Sequence, residues 1–449
     1  MQDLWADFAG EALPTEEARR GGGGRQQRLS EQAVLMALRV WLLQDYMLPY
    51  CTSLGATRIF KRCYWLDGLG NTRLSTQPAP TPMLAQDEPA PARKRGRQQA
   101  QASTVLLPPA LQPVTALAQQ LARLNRPITL HGLLLDEKQK RVTRKSELGP
   151  PVLNGTEKSI TPQARNGIDP SANLTLPKEG GLLPACWPEL APTLLEALEQ
   201  SAAVFLLNPL KDGLFRYSDL APLYQRAAPT ELLLWLPHKQ IETRLLPSLR
   251  TTEGAAALTN LLRGDRWKTL ITREAENPQR IIHGLVELFA ESMRPHFLTV
   301  QSLTFPIRSG PATVEPAPYS LLFATRRQDS LYSLNDAVCL RASRLLVESQ
   351  QGVLNEAWFT AQREEQAAAR SDALAQETLT LGRAHRVRRW PDLRQQLLLA
   401  HFGQHTLSDY DQVITRLLAR GEVRCEWRKR TPEAGETPIP TQDDLLSWR

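Results

Sequence analysis

Short apolar runs alternate with amphipathic helical patterns through the middle of the chain, and this alternation limits the fold more than any other feature. The series reads RCYWLDG, ALAQQLARL, ITLHGLLLDE, LLEALEQ, AVFLLNPL, TELLLWLP and RIIHGLVELFAESM. Strand and helix in turn predict a mostly parallel sheet covered on both faces. The series then changes: HFLTVQSLTFPI and PYSLLFATR are two strand-like runs with a short loop and no helix between them. They predict an antiparallel hairpin at one edge of the sheet.

The flanks carry different patterns. RGGGGRQ at 20–26 is a flexible joint, and the segment after it places apolar residues at 34, 35, 38, 41, 42 and 46, the spacing of a helix with one buried stripe. Residues 76–103 are proline-rich and carry Arg93, Lys94, Arg95 and Arg97, a composition that buries too little apolar surface to order itself. A second stretch, 143–183, rich in Gly, Pro, Asn and Lys, reads as surface loop. From Leu381 the pattern is helix (PDLRQQLLLAHF), a stop at Gly403, helix (LSDYDQVITRLLARG) with Gly421 as its C-cap, and strand (EVRCEWRKR). This order predicts a winged helix.

Composition narrows the class of function. At 449 residues and 42% apolar, the chain buries a sizeable core and has room for an enzyme. Fifty-four Lys and Arg against 47 Asp and Glu give a net charge of +7. Eleven basic against five acidic residues between 381 and 430 account for most of that excess, so nucleic acid is a candidate partner for the C-terminal part. The five cysteines are odd in number and form no C-x-x-C pair, which points to free thiols and to no metal site. No apolar run approaches the roughly 20 residues of a membrane span, and the N-terminus has no apolar signal core. A cytoplasmic protein is the expectation. No Ser/His/Asp order, phosphate-binding loop or H-E-x-x-H occurs to support a hydrolase.

Three strand ends carry candidate chemistry. YWLDGLGN ends a strand in Asp67-Gly68-Leu69-Gly70, where glycine permits a sharp turn and lets a cofactor approach the backbone. An ordinary strand-to-loop turn fits the same residues. LHGLLLDEK ends a strand in Asp136 and Glu137, either of which would accept hydrogen bonds from ribose hydroxyls; a solvated strand end is the alternative. AVFLLNPLKDG places Asn208-Pro209 after a buried strand. The pair resembles the Asn/Asp-Pro-x-x motif with which amino-methyltransferases hold a target nitrogen between a side-chain and a backbone carbonyl, here without the aromatic that usually completes it, or it simply starts a turn. In the C-terminal part, Arg416, Arg420, Arg424, Arg428, Lys429 and Arg430 would neutralise phosphates with Trp427 stacking beside them. The same residues would equally serve as the solvated face of a protein-interaction module.

The order of these pieces resembles the three-Cys-motif partner (TcmP) family of bacterial and phage proteins, over roughly residues 30–430. The correspondence rests on YWLDGLG for the family's strand ending Asp-Gly-Phe-Ala-Gly, LLLDE for its second strand, FLLNPL for a strand ending Asp-Pro, and SLLFATRR at 320–327 for a late strand. Here Gly-Leu-Gly-Asn-Thr-Arg stands for Gly-Phe-Ala-Gly-Pro-Gly, and Asn208 stands where an aspartate is usual.

The resemblance implies an α/β, doubly wound, Rossmann-like sheet of the class I methyltransferase type with an antiparallel edge hairpin, followed by a winged helix. It implies binding of S-adenosylmethionine at Asp67, Gly68, Gly70, Asp136 and Glu137, with Asn208 and Pro209 at the methyl acceptor. A partner with three clustered cysteines, similar to radical adenosylmethionine enzymes, and a role in DNA or RNA modification or phage defence also follow. The alternative is a catalytically degenerate Rossmann scaffold whose winged helix binds protein or DNA. The expected organisation is a flexible N-terminus (1–29), a methyltransferase-like domain (30–345) with a disordered insertion (76–104), a helical connector (346–380), the winged helix (381–430) and a tail (431–449).

Overall fold

The computed structural model describes residues 31–70, 108–136, 176, 180–211, 213–303, 306–310, 313–316, 318–350, 356–385, 389–428 and 438–448. Both the expected N-terminal segment 1–29 and the insertion 76–104 lie outside them. Along the core run β1 (Arg62–Asp67), β2 (Thr129–Leu135), β3 (Gly181–Leu183), β4 (Ala202–Leu207), β5 (Thr230–Pro237), β6 (Thr299–Leu303), β7 (Pro306–Gly310), β8 (Thr313–Pro316) and β9 (Tyr319–Thr325). Seven of these make one sheet in the order β3-β2-β1-β4-β5-β9-β6. Every adjacent pair from β3 to β5 is parallel, and β9 is antiparallel to both of its neighbours. The mostly parallel sheet and its antiparallel edge pair are as the alternation predicts. The connection within that pair is longer than expected, because β7 and β8 form a small antiparallel ribbon of their own between β6 and β9.

Successive residues of a strand face opposite sides, and β4 shows what this does to an unbroken apolar run. Val204 and Leu206 enter one apolar cluster, while Ala203, Phe205 and Leu207 enter the other. The second cluster is covered by α4 (Trp187–Leu198), α5 (Tyr217–Gln225), α6 (Thr252–Leu262), α7 (Arg266–Arg273) and α8 (Pro278–Met293). The first is covered by α1 (Glu31–Trp41), α2 (Leu48–Ala56) and α3 (Gln112–Arg123), together with C-terminal helices. A π-helical stretch, Leu42–Met47, joins α1 to α2. The predicted stripe at Val34, Leu35, Leu38, Trp41, Leu42 and Tyr46 is buried throughout. Beyond the π stretch the buried face continues through Tyr50, Cys51 and Leu54.

After β9 come α9 (Gln328–Gln350), α10 (Glu356–His385), α11 (Trp390–Ala400) and α12 (Leu407–Ala419), then an antiparallel ribbon of β10 (Val423–Glu426) and β11 (Leu445–Trp448). Gly403 and Gly421 take positive φ, +77° and +71°, as helix-ending glycines do. Two expected boundaries differ. The connector is the two long helices α9 and α10, with α9 starting at Gln328; and the segment read as a tail supplies β11, which pairs with β10. This C-terminal part is not independent of the sheet. Leu374 and Leu379 of α10, Trp390 and Leu397 of α11, Tyr410 and Ile414 of α12 and Leu446 of β11 belong to the same apolar cluster as Trp65 and Leu206.

Candidate functional site

Strand order reverses direction between β1 and β4, and in open α/β sheets ligands bind outside the carboxyl ends of the strands at such a point. The register sets Asp67 beside Leu134 of β2 and beside Leu206 of β4. Gly68, Asp136 and Asn208 therefore leave three neighbouring strands at one edge. The Gly68 amide extends the β1–β4 ladder, donating to the Leu206 carbonyl at 2.8 Å. Asp136 is half-buried, with its amide on the Leu183 carbonyl at 3.0 Å. Glu137 lies outside the described residues.

The turn after β1 is held from inside. Asp67 is fully buried, and its Oδ1 accepts from the Leu69 amide at 2.9 Å. Both carboxylate oxygens also receive Arg39 of α1: Nε to Oδ2 at 2.6 Å and Nη2 to Oδ1 at 2.9 Å. Arg39, itself fully buried, reaches on to the Gly70 carbonyl at 2.7 Å. A buried charge pair survives only when geometry and extra hydrogen bonds compensate for desolvation. This one is bidentate and ties α1 to the β1 turn. Gly70 has φ +83°, so glycine is required there on backbone grounds. A Cβ at Gly70 would lie 2.6 Å from Nζ of Lys211, and one at Gly68 would lie 2.6 Å from Cδ2 of Leu207. Lys211 crosses from β4 over this turn and donates to the Gly68 carbonyl at 3.2 Å.

The Asn-Pro pair is likewise engaged. Asn208, 4% exposed, accepts from the Leu210 amide through Oδ1 at 2.8 Å and donates through Nδ2 to Gln240 at 3.0 Å. The Pro209 carbonyl accepts from the Phe215 amide at 3.0 Å. The two carbonyls expected to hold an acceptor nitrogen are thus the ones that shape the turn from β4 towards α5.

The basic residues of the C-terminal part divide. Arg420, Arg424 and Arg428 are exposed. Arg416 instead faces α10, donating to Asp372 at 3.0 Å and to the Ser371 carbonyl at 2.9 Å. Lys429 and Arg430 lie outside the described residues.

Arg39 and Lys211 are the residues of this mouth that the motifs do not announce. Arg39 had a signal: with Leu35, Leu42 and Tyr46 it falls on one helical face at spacings of four and three, a cation on a buried stripe that demands a buried carboxylate. Lys211 had none beyond its proximity to Asn208-Pro209.

Among the described residues no group of three or more His, Cys, Asp or Glu is placed to hold a metal, and no helix is long and apolar enough to cross a membrane. All five cysteines are free thiols. No protein-family profile, curated protein or solved structure matches the chain.

Proposed function

We propose that the chain is a TcmP-like protein in which a methyltransferase-like Rossmann core serves as a scaffold rather than a transferase, presenting a C-terminal winged helix to nucleic acid or a partner protein. The observation that carries this reading is the Arg39–Asp67 pair. It consumes both oxygens of the carboxylate at the end of β1, while Lys211 lies against Gly68 and Gly70 where a cofactor backbone approach would occur. Asn208, engaged by Leu210 and Gln240, adds to it. The α11–α12–β10–β11 order and the exposed Arg420, Arg424 and Arg428 support the winged-helix part. By resemblance, a three-cysteine protein similar to radical adenosylmethionine enzymes is the protein partner.

Fluorescence anisotropy with a labelled DNA or RNA duplex tests the reading. Arg424→Glu with Arg428→Glu should weaken binding about tenfold or more and lower its salt dependence, while Asn208→Ala leaves it unchanged. Equal binding by the charge-reversed variant removes the nucleic-acid role and leaves the protein partner.

A second reading, an S-adenosylmethionine-dependent methyltransferase, draws on one observation. The strand order and the positive φ of Gly70 set a glycine turn beside Asp136 at the switch point. It requires Lys211 to swing away and Asp136, rather than Asp67, to meet the ribose.

A further inference from the structure

Beside the β1 turn lies a concavity that only the end of the AVFLLNPLKDG run, at Leu210, Lys211 and Gly213, reaches among the motifs. It is a cleft of about 730 Å³ between the loop leaving β4 and the segment from Arg244 to Asn260 of α6. Its size falls within the roughly 300–1,000 Å³ of small-molecule sites. Leu210, Leu214 and Leu245 form an apolar wall. Arg216 and Arg244 line it with positive charge, against Glu253 alone among the described lining residues; Lys211 lines it too, but its ammonium turns to the Gly68 carbonyl. The N-cap Thr251 and the first turn of α6, with Glu253 and Gly254, face the same space; Thr251 Oγ1 accepts from the Gly254 amide at 3.1 Å.

Arg244 is already oriented. Its Nη1 donates to the carbonyls of Leu210 at 3.4 Å and Lys211 at 3.1 Å, which fixes the guanidinium across the loop without engaging Nε or Nη2. These contacts turn the guanidinium across the loop, and its planar fork suits phosphate oxygens. Arg216 is exposed.

We propose that this cleft binds the phosphate of a nucleotide, with the sugar or base against the leucine wall. The phosphate is either that of a free nucleotide or one within a single strand. The inference goes beyond the scaffold reading and does not rest on it, since it is carried by Arg216 and Arg244 and involves neither the Arg39–Asp67 pair nor the winged helix; Lys211 alone borders both sites.

Fluorescence anisotropy on the full chain tests it with two probes, a fluorescent adenosine triphosphate analogue and a fluorescein-labelled single-stranded oligothymidylate. Arg216→Glu with Arg244→Glu should weaken binding of the responding probe about tenfold or more. Arg123→Glu, a reversal at an exposed position on α3, should not. Arg216→Gln with Arg244→Gln, with thermal melting to verify the fold, should give a smaller loss of the same kind. A response from the triphosphate alone identifies a free nucleotide, and a response from the oligothymidylate identifies the strand. The proposal is overturned if neither probe binds, or if the cleft variants bind as the unaltered chain does. It is also overturned if only Arg424→Glu with Arg428→Glu, on the winged helix, weakens binding.

Discussion

Arg39 Nε stands 2.6 Å from Asp67 Oδ2, and neither side chain has any exposed surface. Removing one partner leaves the other charged, buried and alone, which typically costs about 3–5 kcal/mol. Arg39→Met should therefore lower the urea midpoint of the cooperative transition sharply. Arg39→Met with Asp67→Leu should recover much of the loss, because apolar replacement of a whole buried pair is often neutral. A double variant as unstable as the single one would show that the pair is not what holds the turn.

Glu231, second residue of β5, is fully buried, and burial pushes its carboxyl up to about 7; the hydroxyls of Thr325, Ser330 and Tyr50 pull it back only in part. The folded state thus holds this proton more tightly than the unfolded chain, whose carboxyl titrates near 4.5. Stability is undiminished below that value, falls as the pH climbs from there to 7, and levels off above. The loss amounts to about 3 kcal/mol at most. Urea titrations across this range should show the decline, and Glu231→Gln should flatten it. A variant with the unaltered slope would assign the pH dependence to other groups.

Asn335 of α9 clamps the turn between α11 and α12. Its Oδ1 accepts from the Gly403 amide at 2.9 Å and its Nδ2 donates to the His405 carbonyl at 2.8 Å, while neighbouring Asp336 accepts from the Leu407 amide at 2.9 Å. Asn335→Ala strands buried polar groups at a cost of about 1–3 kcal/mol. Hydrogen exchange should quicken at Gly403 before it quickens in β4. Uniform quickening across the molecule would contradict a local clamp.

Gly70→Ala should cost about 1–2 kcal/mol, because alanine at φ +83° is strained and its Cβ would press on Lys211 Nζ. Lys211→Ala in the same chain should relieve the contact but not the backbone strain, returning only part of the loss. Full recovery would place the whole cost in the contact.

Much of this architecture is legible in the residues because its periods are strong. The buried stripe from Val34 to Tyr46, four of the five parallel strands (β1, β2, β4 and β5), and the two helix-ending glycines follow from spacing and from glycine's tolerance of positive φ, whereas β3, only three residues long, lies in the stretch 143–183 that reads as surface loop. The site was less legible for a physical reason. Asp67-Gly68-Leu69-Gly70 advertises a turn, but whether its carboxylate faces a ligand or the interior depends on Arg39, 28 positions upstream on a helix. Pairing across that distance leaves no periodic trace. The same holds for Arg416, whose place on α12 reads as basic surface until α10 brings Asp372 to it. β11 escaped notice because LLSW is four residues long after a polar, proline-containing run, too short for alternation to register.

Isothermal titration of S-adenosylmethionine into the full-length chain tests most directly whether the β1 turn is closed from within. With Asp67 held by Arg39 and Lys211 lying across Gly68, no saturable heat is the predicted result. A stoichiometric, saturable heat would contradict it and restore the transferase reading.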